Sequence, residues 1–208
     1  MRSQTAREEF ANAITHAVGV LLSLAGGSML VVLAALTGSA WKVVGVSVFV
    51  ASLVLLYAAS TSYHIARPDL LKKRLRVLDH CAIYVLIAGT YTPFLLDTVR
   101  GPWGWSLFGV IWTLTVAGIL FKLRFIGRFP RLSTSIYIMM GWLILVAGAP
   151  LLRHFQIGTL LWLLAGGIAY TLGTAFYHSR RVPFAHAVWH GFVLAGSICH
   201  GIAVGVQL

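Results

Sequence analysis

Long apolar runs alternate with short polar segments along this chain, and the pattern predicts seven membrane-spanning helices. Each run is close to the roughly 20 residues that an α-helix needs to cross the hydrocarbon core of a bilayer. The predicted helices cover residues 12–36, 41–64, 79–97, 103–122, 133–152, 156–177 and 185–207. Glycine, proline, lysine and arginine mark most of the breaks between them, as expected where helices end at a membrane surface. The predicted fold is therefore an all-α, seven-transmembrane-helix bundle in which residues 1–208 form a single domain.

The composition agrees with a membrane protein and excludes an ordinary soluble domain. Hydrophobic residues make up 59% of the 208 residues and charged residues only 10%, whereas soluble domains are about 25% charged. The net charge of +11 raises the question of a nucleic-acid partner. The basic residues lie in short connections rather than in a stripe with interleaved aromatic residues, so we expect no nucleic-acid binding.

Nearly all of the positive charge lies on one side of the predicted membrane. Thirteen of the sixteen lysines and arginines fall in the N-terminal tail and in the connections after the second, fourth and sixth helices. The other side carries Lys42, Arg100 and Arg153. Because loops rich in lysine and arginine stay in the cytoplasm, we predict a cytoplasmic N-terminus and a C-terminus outside the cell.

The last predicted helix begins with two histidines, His186 and His190, that are four residues apart. Residues at this spacing lie on one face of a helix, which suits two imidazoles that hold one metal ion. An ionisable side chain inside a membrane is costly and is a candidate for function. The predicted orientation places His64, at the end of helix two, and Asp79, at the start of helix three, at the same membrane level.

Two further polar residues, Ser60 and Asp79, are candidates for chemistry beside these histidines. Ser60 precedes His64 by four residues and shares its face; the alternative is a hydroxyl that bonds to a carbonyl of its own helix. Asp79 could hold a water at a metal, or it could be a helix N-cap or a salt-bridge partner of Arg76 or Arg74. His80 would point about 100° away around the helix, so we do not expect both residues to face one site.

The first helix carries Glu9, Asn12 and His16 at spacings of three and four residues, which places them on one face. This face would be a second shell that orients the metal ligands, or a polar surface that meets lipid headgroups. His200 lies deep in the seventh helix, towards the other side, and we expect it to be hydrogen-bonded inside the bundle.

Together these residues resemble the motifs of the progestin and adiponectin receptor (PAQR) superfamily over essentially the whole chain, and the bacterial hemolysin III branch is the most similar. The matching motifs are Glu9, Asn12 and His16, then Ser60 and His64, then Asp79, and finally His186 and His190. The resemblance implies a protein of the bacterial inner (plasma) membrane with a Zn2+ ion near the cytoplasmic face. The ion would be held by His64, His186 and His190. An activated water would complete its coordination, in contact with the catalytic residues Asp79 and Ser60.

Three protein ligands and one open position are the usual arrangement of a catalytic zinc. The resemblance therefore implies a lipid amide or ester hydrolase, similar to a ceramidase, with a membrane lipid as substrate or ligand. A non-enzymatic sensor or homeostasis protein with structural zinc is the alternative.

Two other functions, a pore-forming cytolysin and a metal transporter, agree less well with the sequence. A pore-forming cytolysin fits less well because the outer halves of the helices lack a continuous polar lining. A metal transporter would need ligands near the bilayer midplane, whereas the candidate ligands of this chain are predicted near one face of the membrane. Pairs of glycines such as Gly26-Gly27 allow close helix packing, either within one chain or between the chains of a homo-oligomer.

Overall fold

The computed structural model of the protein describes residues 4–148, 153–179 and 181–208, and these form a bundle of α-helices. The helices are α1 (Ala6–Leu36), α2 (Ala40–Ile65), α3 (Asp69–Pro93), α4 (Pro102–Phe125), α5 (Pro130–Gly141), α6 (Ile157–Tyr177) and α7 (Ala185–Gln207). No strand occurs in the described residues, so the all-α prediction is confirmed. Each of these helices except α5 is long and apolar enough to cross a membrane.

The helices bury large side chains between them and present apolar side chains outwards. α2 packs between α1 and α3, and α7 packs against α1 and α6. Phe49 and Tyr57 of α2 and Tyr84 of α3 are almost completely buried, whereas Leu21 of α1 is 67% exposed. An apolar outer surface is what a lipid environment requires, and with the six candidate spans it identifies the chain as an integral membrane protein.

One end of the bundle, which we call the basic end, holds the start of α1, α3, α5 and α7 and the end of α2, α4 and α6. Its described lysines and arginines are Arg7, Arg67, Lys72, Lys73, Arg74, Arg76, Lys122, Arg124, Arg128, Arg131 and Arg181. Arg2 and Arg180 lie outside the described residues. Lys42 lies at the opposite end, where its Nζ is 2.8 Å from the backbone oxygen of Leu208. The prediction that the basic end faces the cytoplasm rests on this distribution of charge.

The third helix begins ten residues before its predicted start, at Asp69 rather than at residue 79. The additional segment is rich in leucine, lysine and arginine, which are good helix formers. Its charges mark the membrane surface, but they do not end the helix. Asp79 is therefore an interior helical residue, and its interpretation as an N-cap is wrong.

Two other boundaries differ by a few residues. α1 begins at Ala6 instead of residue 12, because Thr5 and Glu8 form a capping box in which each side chain bonds to the backbone N–H of the other residue. α3 ends at Pro93 and passes into a π-helical turn, Phe94–Thr98, which covers the rest of the predicted helix.

The fifth helix is much shorter than predicted. A continuous helix was expected over 133–152, but α5 ends at Gly141 and is followed by a 3-10 segment, Leu143–Ala147. Residues 149–152 lie outside the described part of the chain.

A tyrosine from α3 causes this break. The hydroxyl of Tyr91 accepts a hydrogen bond from the backbone N–H of Ile144 (2.8 Å) and donates one to the carbonyl of Met140 (2.8 Å). In a continuous helix these two backbone groups would bond to each other. A side chain inserted in this way ends the regular ladder.

Candidate metal centre

Three histidines from two helices come together at the basic end. His64 lies near the end of α2, and His186 and His190 occupy the first two turns of α7. One ring nitrogen from each lies within 4.8 Å of the others. The ring centroids of His64 are 5.2 and 5.1 Å from those of His186 and His190. The structure thus groups the three predicted ligands, and their binding of a metal stays a prediction.

The first helix orients two of these three rings. The Nδ1–H of His64 donates to the Oε2 atom of Glu9 at 2.6 Å. The Nδ1–H of His190 donates to the backbone carbonyl of Asn12 at 3.2 Å. Because a carboxylate and a carbonyl only accept hydrogen bonds, we assign the proton to Nδ1 in both rings. This leaves Nε2 of each ring as the atom with a free lone pair, which is the arrangement of histidines that ligate metals.

The donor set fits a zinc ion. The Nε2 atom of His64 is buried and has no hydrogen-bond partner among the described residues. A buried polar atom without a partner is costly, and a bound cation would remove that cost. Three imidazole nitrogens also match the ligand types that zinc prefers.

Glu9 also forms an ion pair with a lysine that was not predicted to belong to the site. The Nζ atom of Lys72 lies 2.9 Å from Oε1 of Glu9, and it also lies over the ring of Tyr63, 5.1 Å from its centroid. Glu9 therefore bridges Lys72 and His64 through its two oxygens. Lys72 was assigned to a loop because the start of α3 was placed too late, and this hid its position beside the metal centre.

His16 supports the site by packing rather than by a hydrogen bond. Its ring stacks on that of His190, with centroids 3.5 Å apart and an interplanar angle of 12°. The ring of Tyr57 meets it edge-on at 5.0 Å. Both ring nitrogens of His16 are buried without a hydrogen-bond partner in the described part of the chain.

The loop before α7 is also anchored to α1. Phe184 has a positive φ of 55°, a left-handed conformation that is uncommon for a bulky residue. Its backbone N–H donates to Oε1 of Glu8 at 3.4 Å. This contact lies two residues before His186 and helps to fix where α7 begins.

The predicted catalytic residues Asp79 and Ser60 are both buried. Asp79 lines a cavity together with His186 and His190. Its Oδ2 atom is 3.5 Å from Nδ1 of His80, and the predicted alternative of an ion pair with an arginine is not observed among the described residues. His80 lines the same cavity, so the expectation that it would point away from this site is wrong.

Ser60 is completely buried, and its hydroxyl has no hydrogen-bond partner among the described residues. The predicted alternative, a bond back to a carbonyl of its own helix, is therefore not formed. Contact between this hydroxyl and a group in the site stays a prediction.

Comparison with known proteins identifies relatives of this chain. A family model described as "Haemolysin-III related" matches residues 4–201. The chain belongs to the haemolysin-III-related family. It is 48% identical over 193 residues to "Hemolysin-3 homolog" of Bacillus subtilis (strain 168), covering 93% of this chain and 91% of that protein. It is 49% identical over 195 residues to "Hemolysin-3" of Bacillus cereus, covering 94% and 89%.

A human relative extends the similarity beyond bacteria. "Monocyte to macrophage differentiation factor" of Homo sapiens is 28% identical over 211 residues, which cover 96% of this chain and 84% of that protein. The resemblance of this haemolysin-III-related chain to the PAQR superfamily, and to its hemolysin III branch in particular, is thus confirmed.

This haemolysin-III-related protein also contains an apolar cavity of about 130 Å3 that starts at the metal centre. The cavity is lined along α7 from His186 to His200 and on the opposite wall by residues such as Ile138 and Trp142 of α5 and the segment after it. Fourteen residues of helix correspond to about 21 Å at 1.5 Å per residue. At the deep end, His200 bonds through Nε2 to the carbonyl of Leu163 (3.2 Å), as the sequence predicted.

Proposed function

We propose that this protein is a zinc-dependent hydrolase that cleaves an amide or ester bond of a membrane lipid. The observation that carries the proposal is the cluster of three histidines, His64, His186 and His190, of which His186 and His190 line an apolar cavity together with the buried carboxylate of Asp79. The three histidines leave a coordination position for a reacting group, which is typical of catalytic rather than structural zinc.

The roles of the residues follow from their positions. Zinc, when bound by His64, His186 and His190, lowers the pKa of a water and polarises a carbonyl. Asp79 accepts the proton that the water loses and returns it to the leaving amine or alcohol. The apolar cavity receives the acyl chain and so holds the scissile bond beside Asp79. The unpaired hydroxyl of Ser60 is available to donate a hydrogen bond to the reacting oxygen.

The test uses the full chain, purified in detergent and loaded with zinc, with ceramides and phospholipids as substrates. We expect turnover by the unmodified protein. Asp79→Asn should keep its zinc and lose turnover, whereas His190→Ala should lose both. Asp69→Asn, an exposed carboxylate on the same helix, is the matched control and should retain activity. Absence of turnover for every lipid by the zinc-loaded protein would refute the proposal.

A second candidate function is a non-enzymatic sensor or homeostasis protein in which zinc is structural. It is favoured because a metal held by these histidines would join α2 and α7, whose histidines are already hydrogen-bonded to α1. In that case zinc removal would lower the melting temperature and no lipid would be hydrolysed. The word "hemolysin" describes the Bacillus relatives, and a pore-forming cytolysin is the less favoured alternative for this chain.

We also propose that the basic end, and with it the metal centre, faces the cytoplasm of a bacterial inner (plasma) membrane. The excess of lysine and arginine at this end supports the orientation. Cysteines introduced at Arg128, at the basic end, and at Arg100, at the opposite end, test it in intact cells. A membrane-impermeant thiol reagent should label only the cysteine at position 100. The reverse labelling would overturn the orientation.

A further inference from the structure

A second cavity, which we call the vestibule, opens at the basic end and has a volume of about 630 Å3. Residues that line it include Glu8, Arg131, His178, Arg181 and His186. His186 also lines the apolar cavity. One of the three histidines of the metal centre therefore lies between a polar compartment and an apolar one.

The described part of the vestibule wall carries more positive than negative charge. Arg131 and Arg181 line it with exposed guanidinium groups. The carboxylate of Glu8 is engaged with backbone N–H groups of Thr5 and Phe184, at 2.9 and 3.4 Å. A guanidinium offers a planar set of donors that matches a phosphate or a carboxylate.

His178 contributes a neutral polar group to the same wall. Its Nε2 atom lies 3.0 Å from the hydroxyl of Thr134. Partial burial and the nearby Arg131 cation lower the pKa of His178, so the ring is uncharged at neutral pH. The cationic character of the vestibule thus comes from its two arginines.

We propose that the vestibule binds the anionic headgroup of the lipid substrate, a phosphate or a carboxylate, through Arg131 and Arg181. The inference rests on the proposed function and narrows its substrate class to an anionic amphiphile. The acyl chain of this lipid lies in the apolar cavity, its headgroup lies in the vestibule, and the scissile bond passes beside His186. A neutral lipid would offer these two solvated guanidinium groups no anionic partner.

The experiment measures binding without turnover, in the full-length Asp79→Asn protein loaded with zinc. The probes are a lysophosphatidic acid, the monoacylglycerol with the same acyl chain, and inorganic phosphate. The monoacylglycerol lacks the phosphate of the first probe, and inorganic phosphate lacks its acyl chain. We expect the lysophosphatidic acid to bind at least about tenfold more tightly than the monoacylglycerol, given the usual strength of hydrogen bonds to charged groups. Inorganic phosphate should bind far more weakly than either lipid.

Substitution of the two arginines locates the site. Arg131→Gln with Arg181→Gln should abolish the preference for the anionic lipid and leave monoacylglycerol binding within about twofold. Arg124→Gln with Arg128→Gln makes the same change of charge at the basic end, outside the vestibule lining, and should keep the preference. A variant with both Arg131→Lys and Arg181→Lys keeps the positive charge of the vestibule. The zinc content of each variant reports whether that variant folds.

The outcomes separate this inference from the proposed function. Equal loss of preference in both arginine pairs would show a general surface effect and overturn the vestibule as the site. Inorganic phosphate that binds as tightly as the lipid would assign the site to a free anion and overturn the lipid assignment. Selective binding without hydrolysis by the unmodified protein would support the binding site and refute the hydrolase.

Discussion

Substitution of Glu9 by glutamine tests whether α1 controls the metal centre without supplying a ligand. Glutamine keeps the size of the side chain and one carbonyl oxygen that can accept the Nδ1–H of His64. It removes the negative charge that Glu9 shares between His64, at 2.6 Å, and Lys72, at 2.9 Å. The substitution therefore weakens the orientation and the basicity of His64 and leaves its Nε2 atom in place.

The expected magnitude follows from the geometry of this contact. The side chain of His64 is 1% exposed and that of Glu9 is 23% exposed, so water cannot fully replace the lost interaction. Loss of a residue that holds a metal ligand commonly weakens metal binding by about 10- to 100-fold. This corresponds to about 1.4–2.7 kcal/mol of binding free energy. We expect Glu9→Gln to weaken zinc binding within this range.

The assay is competition for zinc between the purified protein and a chromophoric chelator of known affinity. Asp69→Asn removes an exposed carboxylate and should bind zinc as the unmodified protein does. Lys72→Met removes the ion pair but leaves the Glu9–His64 bond, so its effect should be smaller than that of Glu9→Gln. If Glu9→Gln binds zinc within threefold of the unmodified protein while His64→Ala does not bind it, the bond to α1 has no role in holding the metal.

Three further predictions concern the stability of the bundle. A Cβ at Gly19 would lie 2.4 Å from the buried ring of Tyr57, so Gly19→Ala should lower the free energy of unfolding by about 1–3 kcal/mol. Gly26→Ala is the control, because a Cβ at Gly26 would meet nothing within 4 Å. A similar loss of stability in both variants would refute the packing argument. Tyr91→Phe should lower the free energy of unfolding by about 1–3 kcal/mol, because the backbone N–H of Ile144 loses its acceptor. Unchanged thermal unfolding in detergent would contradict this prediction. Removal of zinc by a chelator should lower the melting temperature. Addition of free zinc to 100 times its dissociation constant should raise the free energy of unfolding by about 2.7 kcal/mol. A melting temperature that does not change with zinc concentration would exclude the metal site.

The helical spans and the histidine cluster could be predicted because both depend on local sequence. Apolar length identifies a span, and a spacing of four residues places His186 and His190 on one face. The separation of charge between the two ends then brought His64 to the same level. None of these steps requires knowledge of a contact between distant residues.

The break in α5 and the start of α3 could not be predicted in the same way. Tyr91 ends α5 from a position 53 residues before Ile144, and hydropathy contains no information about such a contact. Hydropathy also marks the membrane boundary rather than the helix boundary, so α3 was started at the last charged turn. For His16 the face was predicted, but the stacking on His190 was not, because spacing does not distinguish packing from hydrogen bonding.

The division of the metal centre among the helices has a consequence for biogenesis. His64 and Glu9 are synthesised early, whereas His186 and His190 belong to the last helix to leave the ribosome. A chain that has inserted only α1 to α6 holds one of the three histidines and cannot retain zinc through the full set. In the proposed zinc site the full set of ligands forms only after α7 has inserted and docked on α1, so we expect only a completely assembled chain to retain zinc.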